Sequence, residues 1–165
     1  MPKLSAGLLL YRVADGELEV LLVHPGGPFW ARKDDGAWSI PKGEYEVGQD
    51  PLDHARREFA EEIGTAAPEL SEYLELGQVK QSGGKLVSCW AVEGDLDAST
   101  IISNTFEMEW PRDSGRTQQF PEVDRGGWFS VDVARVKFLA GQVPFLDRLL
   151  TLLDENESGP SHSGE

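Results

Sequence analysis

The segment Gly43-Glu44-Tyr45-Glu46-Val47-Gly48-Gln49-Asp50-Pro51-Leu52-Asp53-His54-Ala55-Arg56-Arg57-Glu58-Phe59-Ala60-Glu61-Glu62-Ile63-Gly64-Thr65 decides how the rest of the chain is read. Within it, Asp50 at the cap, Pro51 in the first turn, Asp53 near the capping-box position and Gly64 as the stop bracket a helix over Pro51–Ile63. Leu52, Ala55, Phe59 and Ile63 recur at helical spacing and form its expected core stripe. Glu58, Glu61 and Glu62 stand three or four residues apart, so their carboxylates crowd one face, expected to point away from that stripe. Like charges so placed cost about a few tenths of a kcal/mol per pair. A solvated acidic face tolerates this, whereas Mg²⁺ or Mn²⁺ would reverse it, since both take clusters of anionic oxygens. His54, one turn before Glu58 on the acidic face, could lie near a site there, although a partly exposed helix histidine is the commoner case.

Upstream of the segment, residues 4–11 and 19–24 read as strands joined by a turn at Ala14-Asp15-Gly16-Glu17. A short strand at 37–40 precedes Pro41-Lys42-Gly43. Downstream, residues 73–82 and 85–93 form a hairpin closed at Gly83-Gly84. Weaker strands at 106–110 and 124–129 flank a polar stretch at 111–119, and 143–153 reads as a closing amphipathic helix. The order of strands and helices predicts a mixed α+β fold. Residues 1–153 are expected to be a single domain. Residues 154–165 carry Asp154, Glu155, Glu157 and Glu165, with no Lys, Arg or apolar side chain, and are expected to be a disordered acidic tail.

A chain of 165 residues that is 39% hydrophobic can bury one sizeable core. Its 15 Lys and Arg against 29 Asp and Glu leave a net charge of −14. That balance opposes binding to polymeric nucleic acid or to an anionic membrane surface, both of which need broad basic patches. A small phosphorylated partner needs only local cations or metal ions. Cys89, the one cysteine, lies in an apolar run and reads as core, which excludes an internal disulfide. No secretory signal or membrane span is apparent, so the cytoplasm is the expected compartment. Oligomeric state is left open.

In register, Gly43, Arg57, Glu58, Phe59, Glu61, Glu62 and Gly64 resemble the Nudix box, G-x5-E-x7-R-E-U-x-E-E-x-G-U with U bulky and apolar. Gln49 stands where that pattern has glutamate, and Thr65 where it has an apolar residue. The stretches at 24–43, 104–110 and 120–128 also resemble a bacterial Nudix branch of predicted nucleoside triphosphate pyrophosphohydrolases. The resemblance implies an α/β/α sandwich around a mixed β-sheet. It also implies Mg²⁺-dependent hydrolysis of a diphosphate linkage in a nucleoside diphosphate derivative, by attack of water on phosphorus. A nucleotide-binding sensor without turnover is the alternative, favoured by Gln49 alone.

By the same resemblance Glu58, Glu61 and Glu62, with the Gly43 carbonyl, would ligate the metal. Arg57 would orient a carboxylate, first of all Glu58, and Gln49 could still accept a hydrogen bond from it. The general base would be Glu58 or, off the helix, Glu122. Trp30, Arg32, Lys33, Lys42, Arg112 and Arg116 are candidates for substrate binding, although lone cations are more often plain surface. Phe29, Trp90, Phe106 and Trp110 could also stack on a base, but most such rings are core.

Overall fold

The computed structural model describes residues 3–69 and 71–158. Its centre is β1 (Leu4–Ala14), which turns through Asp15 and Gly16, both at positive φ, into β2 (Glu17–Pro25). A two-residue loop with both φ values positive matches the twist of the strands it joins, which is why an Asp-Gly pair closes it. Leu8 and Leu10 face one side of the sheet and Leu9 and Tyr11 the other. Strands buried on both faces read as unbroken apolar runs, as these two do.

The sheet runs β4-β5-β1-β2-β8, with β4 (Tyr73–Lys80), β5 (Leu86–Glu93) and β8 (Val123–Ser130). It is mixed, because β1 pairs parallel with β5 and antiparallel with β2. The edge of β1 facing β2 is shared: its far end pairs with β2, and Leu4–Gly7 pair with β3 (Lys42–Tyr45). Between them Pro41 enters, accepting from the Leu8 amide at 3.2 Å. Gly7 makes room, since a Cβ there would strike the Pro41 carbonyl oxygen. This split delivers Lys42 and Gly43 beneath the central helix.

Helix α1 spans Pro51–Ile63, as the sequence predicts, and covers one sheet face with Ala55, Phe59 and Ile63. The other face lies under α2 (Val131–Lys137) and α3 (Val143–Ser158), through Ala134, Phe145, Leu146 and Leu149. Cys89 is buried in that second layer. The α/β/α sandwich is therefore observed.

Several local expectations are corrected. The Asp50 side chain makes no cap bond, although its carbonyl accepts from the His54 amide at 3.1 Å. The strand expected at 37–40 reduces to isolated bridges at Trp38 and Ser39. The Trp38 backbone bonds to Lys137 and Leu139 instead, and the true strand starts at Lys42. The polar stretch 111–119 contributes to a separate two-stranded ribbon, β6 (Thr105–Glu109) with β7 (Thr117–Pro121). Largely solvent-facing strands carry no apolar alternation, so β7 escapes a pattern search. Helix α2 was not expected either, because Val131-Asp132-Val133 alternates like a strand. The Ser130 hydroxyl caps it. Helix α3 continues through Ser158, so residues 154–158 are helical rather than disordered tail, and residues 159–165 lie outside the described residues.

Candidate functional site

The last two turns of α1 face β3 across a narrow gap. A Cβ at Gly43 would overlap the Glu58 carboxyl group, so only glycine lets this strand and helix approach. Glu62 is buried, not solvated as expected, and its Oε1 accepts from the Lys42 amide at 3.3 Å. Burial, then the charge of Glu122, pushes the Glu62 carboxyl up to about 8, against the pull of Lys42. Glu58 is likewise raised, by burial and then by Glu61 and Glu122. Glu122, although exposed, is raised by partial desolvation and then by Glu61. The fold thus gathers Glu58, Glu61, Glu62 and Glu122 into one field of mutually opposed carboxylates.

Glu122 reaches this field through a relay of backbone hydrogen bonds. The amides of Ile102 and Asn104 donate to the Ile63 and Glu61 carbonyls at the end of α1, at 3.0 and 2.9 Å. The Glu122 amide donates to the Asn104 carbonyl at 2.8 Å, and its own carbonyl accepts from Gly26 at 3.0 Å. Those last helical carbonyls have no intrahelical partner, so the 101–104 loop satisfies them while fixing Glu122.

A cleft of about 420 Å³ opens beside these carboxylates, with Glu62 and Glu122 on one wall and Lys42, Lys85, Gln81 and Trp30 among its other lining residues. Lys42 is largely buried, and its ammonium pKa is lowered by desolvation and by Lys85, against Glu62, Glu44 and Glu58. Lys33 Nζ stands 5.1 Å from the Trp30 ring centre, within cation–π range. The carbonyl of Lys33 accepts from Nε2 of buried His24, whose Nδ1 lies 2.9 Å from Asp124. His24 is thus a structural tie that holds the loop before Gly36.

Of the substrate-binding candidates, Trp30 and Lys42 line the cleft. Arg32 is exposed and does not line it. Arg112 and Arg116 sit at the far end of the β6–β7 ribbon; Arg112 lies over Phe29 at 5.8 Å, and the Arg116 carbonyl accepts from Trp110. Phe29 and Trp110 meet edge to face at 5.9 Å, outside the cleft. Trp90 and Phe106 do not line it either.

Arg57 departs from expectation. It is exposed, and Nη2 donates to Nδ1 of His54 at 2.6 Å; among the described residues it forms no ion pair with a carboxylate. Gln49 is turned away, its Oε1 accepting from the Glu46 amide at 2.9 Å. His54 is buried rather than partly exposed.

Lys85 and Gln81 were missed. They flank the glycine turn of the β4–β5 hairpin, and nothing in the linear spacing joins residue 85 to residue 42. Strand β1 brings Lys42 and Lys85 together: Lys42 pairs with Gly7, and Leu86, beside Lys85, with Leu4.

Among the described residues no helix is long and apolar enough to cross a membrane, and no three His, Cys, Asp or Glu side chains converge tightly enough to enclose a metal ion.

An RNA pyrophosphohydrolase from Rhodospirillum rubrum is 43% identical over 67 residues, which cover 39% of each protein. This chain therefore aligns with about two-fifths of that relative's length. A Caenorhabditis elegans Ap4A hydrolase superposes with a TM-score of 0.63 at 21% identity, covering 91% of this chain and 98% of that one. The NUDIX domain of Shewanella oneidensis NrtR, in complex with ADP ribose, gives a TM-score of 0.62 at 17% identity, covering 93% and 89%. At such identities the two structures show a shared fold. The NUDIX domain family model matches residues 1–149, and this chain belongs to the Nudix hydrolase family.

Proposed function

We propose that the chain hydrolyses a diphosphate linkage in a nucleoside diphosphate derivative, with a nucleoside triphosphate or dinucleoside polyphosphate as substrate. One observation carries this reading: carboxylates and lysines line a single cleft of nucleotide size, with Trp30 at its side. Lysines 42 and 85 would hold phosphate oxygens, and Trp30 would offer a face for a base. The carboxylates fit a hard divalent cation by donor type, since each offers anionic oxygen in a field short of positive charge. Closing Glu58, Glu61 and Glu62, with the Gly43 carbonyl, onto an ion requires rotation of long side chains. Bound there, Mg²⁺, or Mn²⁺ in its place, would supply charge neutralisation for the phosphates. Glu58 or Glu122 would take the proton from the attacking water at a carboxylate oxygen, and the raised proton affinity of both suits that task.

The test is turnover of nucleoside triphosphates, dinucleoside polyphosphates, nucleotide sugars and a 5′-triphosphorylated oligonucleotide, with Mg²⁺ and then with chelator. Chelator-sensitive release of phosphate or nucleotide, cut about 10²-fold in Glu62→Gln, supports the reading. Tight binding with no turnover across the panel would replace it with a nucleotide sensor, the reading favoured by Gln49 and by the lack, among the described residues, of a carboxylate partner for Arg57. Preference for the oligonucleotide would overturn the exclusion of nucleic-acid polymers argued from net charge.

A further inference from the structure

We propose that His54 is a positioning residue that links Arg57 to Glu58 and holds the Glu58 carboxylate in place. The inference rests on the reading of Glu58 given above, but its geometry stands independently. A guanidinium only donates, so at 2.6 Å from Arg57 Nη2 the His54 Nδ1 must be the acceptor. In the neutral ring the proton then sits on Nε2. That atom is buried and otherwise unpartnered, and it lies 3.5 Å from Glu58 Oε2, just beyond ordinary hydrogen-bond reach. The two residues are one helical turn apart, the spacing at which side chains on a helix meet.

The ring is held from other sides as well. Its side chain is only 9% exposed, and the Tyr45 ring stands 5.9 Å away, centre to centre. Arg57 thus selects the tautomer, and the tautomer aims an N–H at the carboxylate that Gly43 makes room for. Gln49 is committed to the Glu46 amide, and Arg57, whose charge also pulls on Glu58 from a distance, makes its hydrogen bond to the imidazole rather than to the carboxylate. Groups that orient a functional carboxylate in this way are typically worth roughly 10- to 100-fold in activity or metal affinity.

The first test needs neither substrate nor metal. In metal-free protein labelled with ¹⁵N, the His54 ring nitrogens, assigned through its own β-carbon, should show a protonated Nε2 and an unprotonated Nδ1. The Arg57→Ala variant should lose that bias. A protonated Nδ1 in the wild type, or a pattern unchanged by Arg57→Ala, would overturn the proposal.

The second test is kinetic. His54→Ala should lower kcat about tenfold with KM little changed, and weaken Mn²⁺ binding in parallel. His54→Gln, which can accept from Arg57 and donate to Glu58, should restore most of both. Equal loss in Gln and Ala variants of unchanged melting temperature would also overturn it. If wild-type protein shows no turnover, the proposed function fails, while the ring-nitrogen pattern and Mn²⁺ affinity still decide the role of His54.

Discussion

Glycine 43 shows how one residue couples backbone to chemistry. The space a side chain would take is filled by the Glu58 carboxyl, so strand and helix can meet only through a bare α-carbon. Gly43→Ala should therefore lower kcat about tenfold or more by displacing Glu58, an effect of the size expected when an orienting contact is lost. The added Glu58→Ala change should recover stability but not activity, which paired denaturant melts and steady-state assays would show. Arginine 57 teaches the complementary lesson. Its place in the box was legible, but its partner was not, because the choice between a carboxylate and His54 depends on which side chains the fold leaves within reach.

At the scale of elements, the end of α1 is held by a loop that also carries function. Gly64 has φ of +88°, and its Cβ position lies 2.7 Å from the Ile102 carbonyl oxygen. Gly64→Ala should destabilise the protein by more than the about 1–2 kcal/mol that the left-handed conformation alone costs a residue with a side chain, because the methyl group would also strike the Ile102 carbonyl oxygen. It should also raise KM, since the 101–104 loop holds Glu122 in the cleft wall. Urea melts and Michaelis–Menten kinetics check the two effects separately.

A second junction joins the Trp30–Gly36 loop to α2. Asp34 accepts from Lys137 Nζ and Trp38 Nε1, both at 2.8 Å, and these hydrogen bonds hold its carboxyl below the usual carboxylate range. A depressed folded-state value means stability that is present above the unfolded pKa and lost as pH falls through the folded one. Asp34→Asn should therefore flatten the decline in melting temperature below about pH 4. A wild-type acid limb retained in the variant would contradict this.

Across the whole molecule, the two core layers share one central strand pair, so access to the interior should require global opening. Cys89 reports on that. Burial raises its thiol pKa well above the ordinary value, and it sits fully enclosed beneath α3. Labelling by a thiol reagent at pH 8 should proceed only at the rate set by global unfolding, and should speed up with urea in step with loss of ellipticity. Rapid labelling in native buffer would contradict the rigid double-layered core.

The sequence by itself determined the elements whose signals are local. Helix α1 follows from its apolar spacing between Pro51 and Gly64, the first hairpin from Asp15-Gly16, and the acidic cluster from positions 58, 61 and 62 on one helix. The family resemblance added the sandwich, which the two-faced burial of β1 and β2 bears out. Tertiary structure alone decided what depends on long-range meetings. It brought Lys85 beside Lys42 through shared pairing with β1, placed Glu122 by way of the helix-end carbonyls, and buried Glu62 and His54. Such contacts join residues tens of positions apart, and no periodicity in the chain encodes which loop will satisfy the orphan carbonyls of a distant helix.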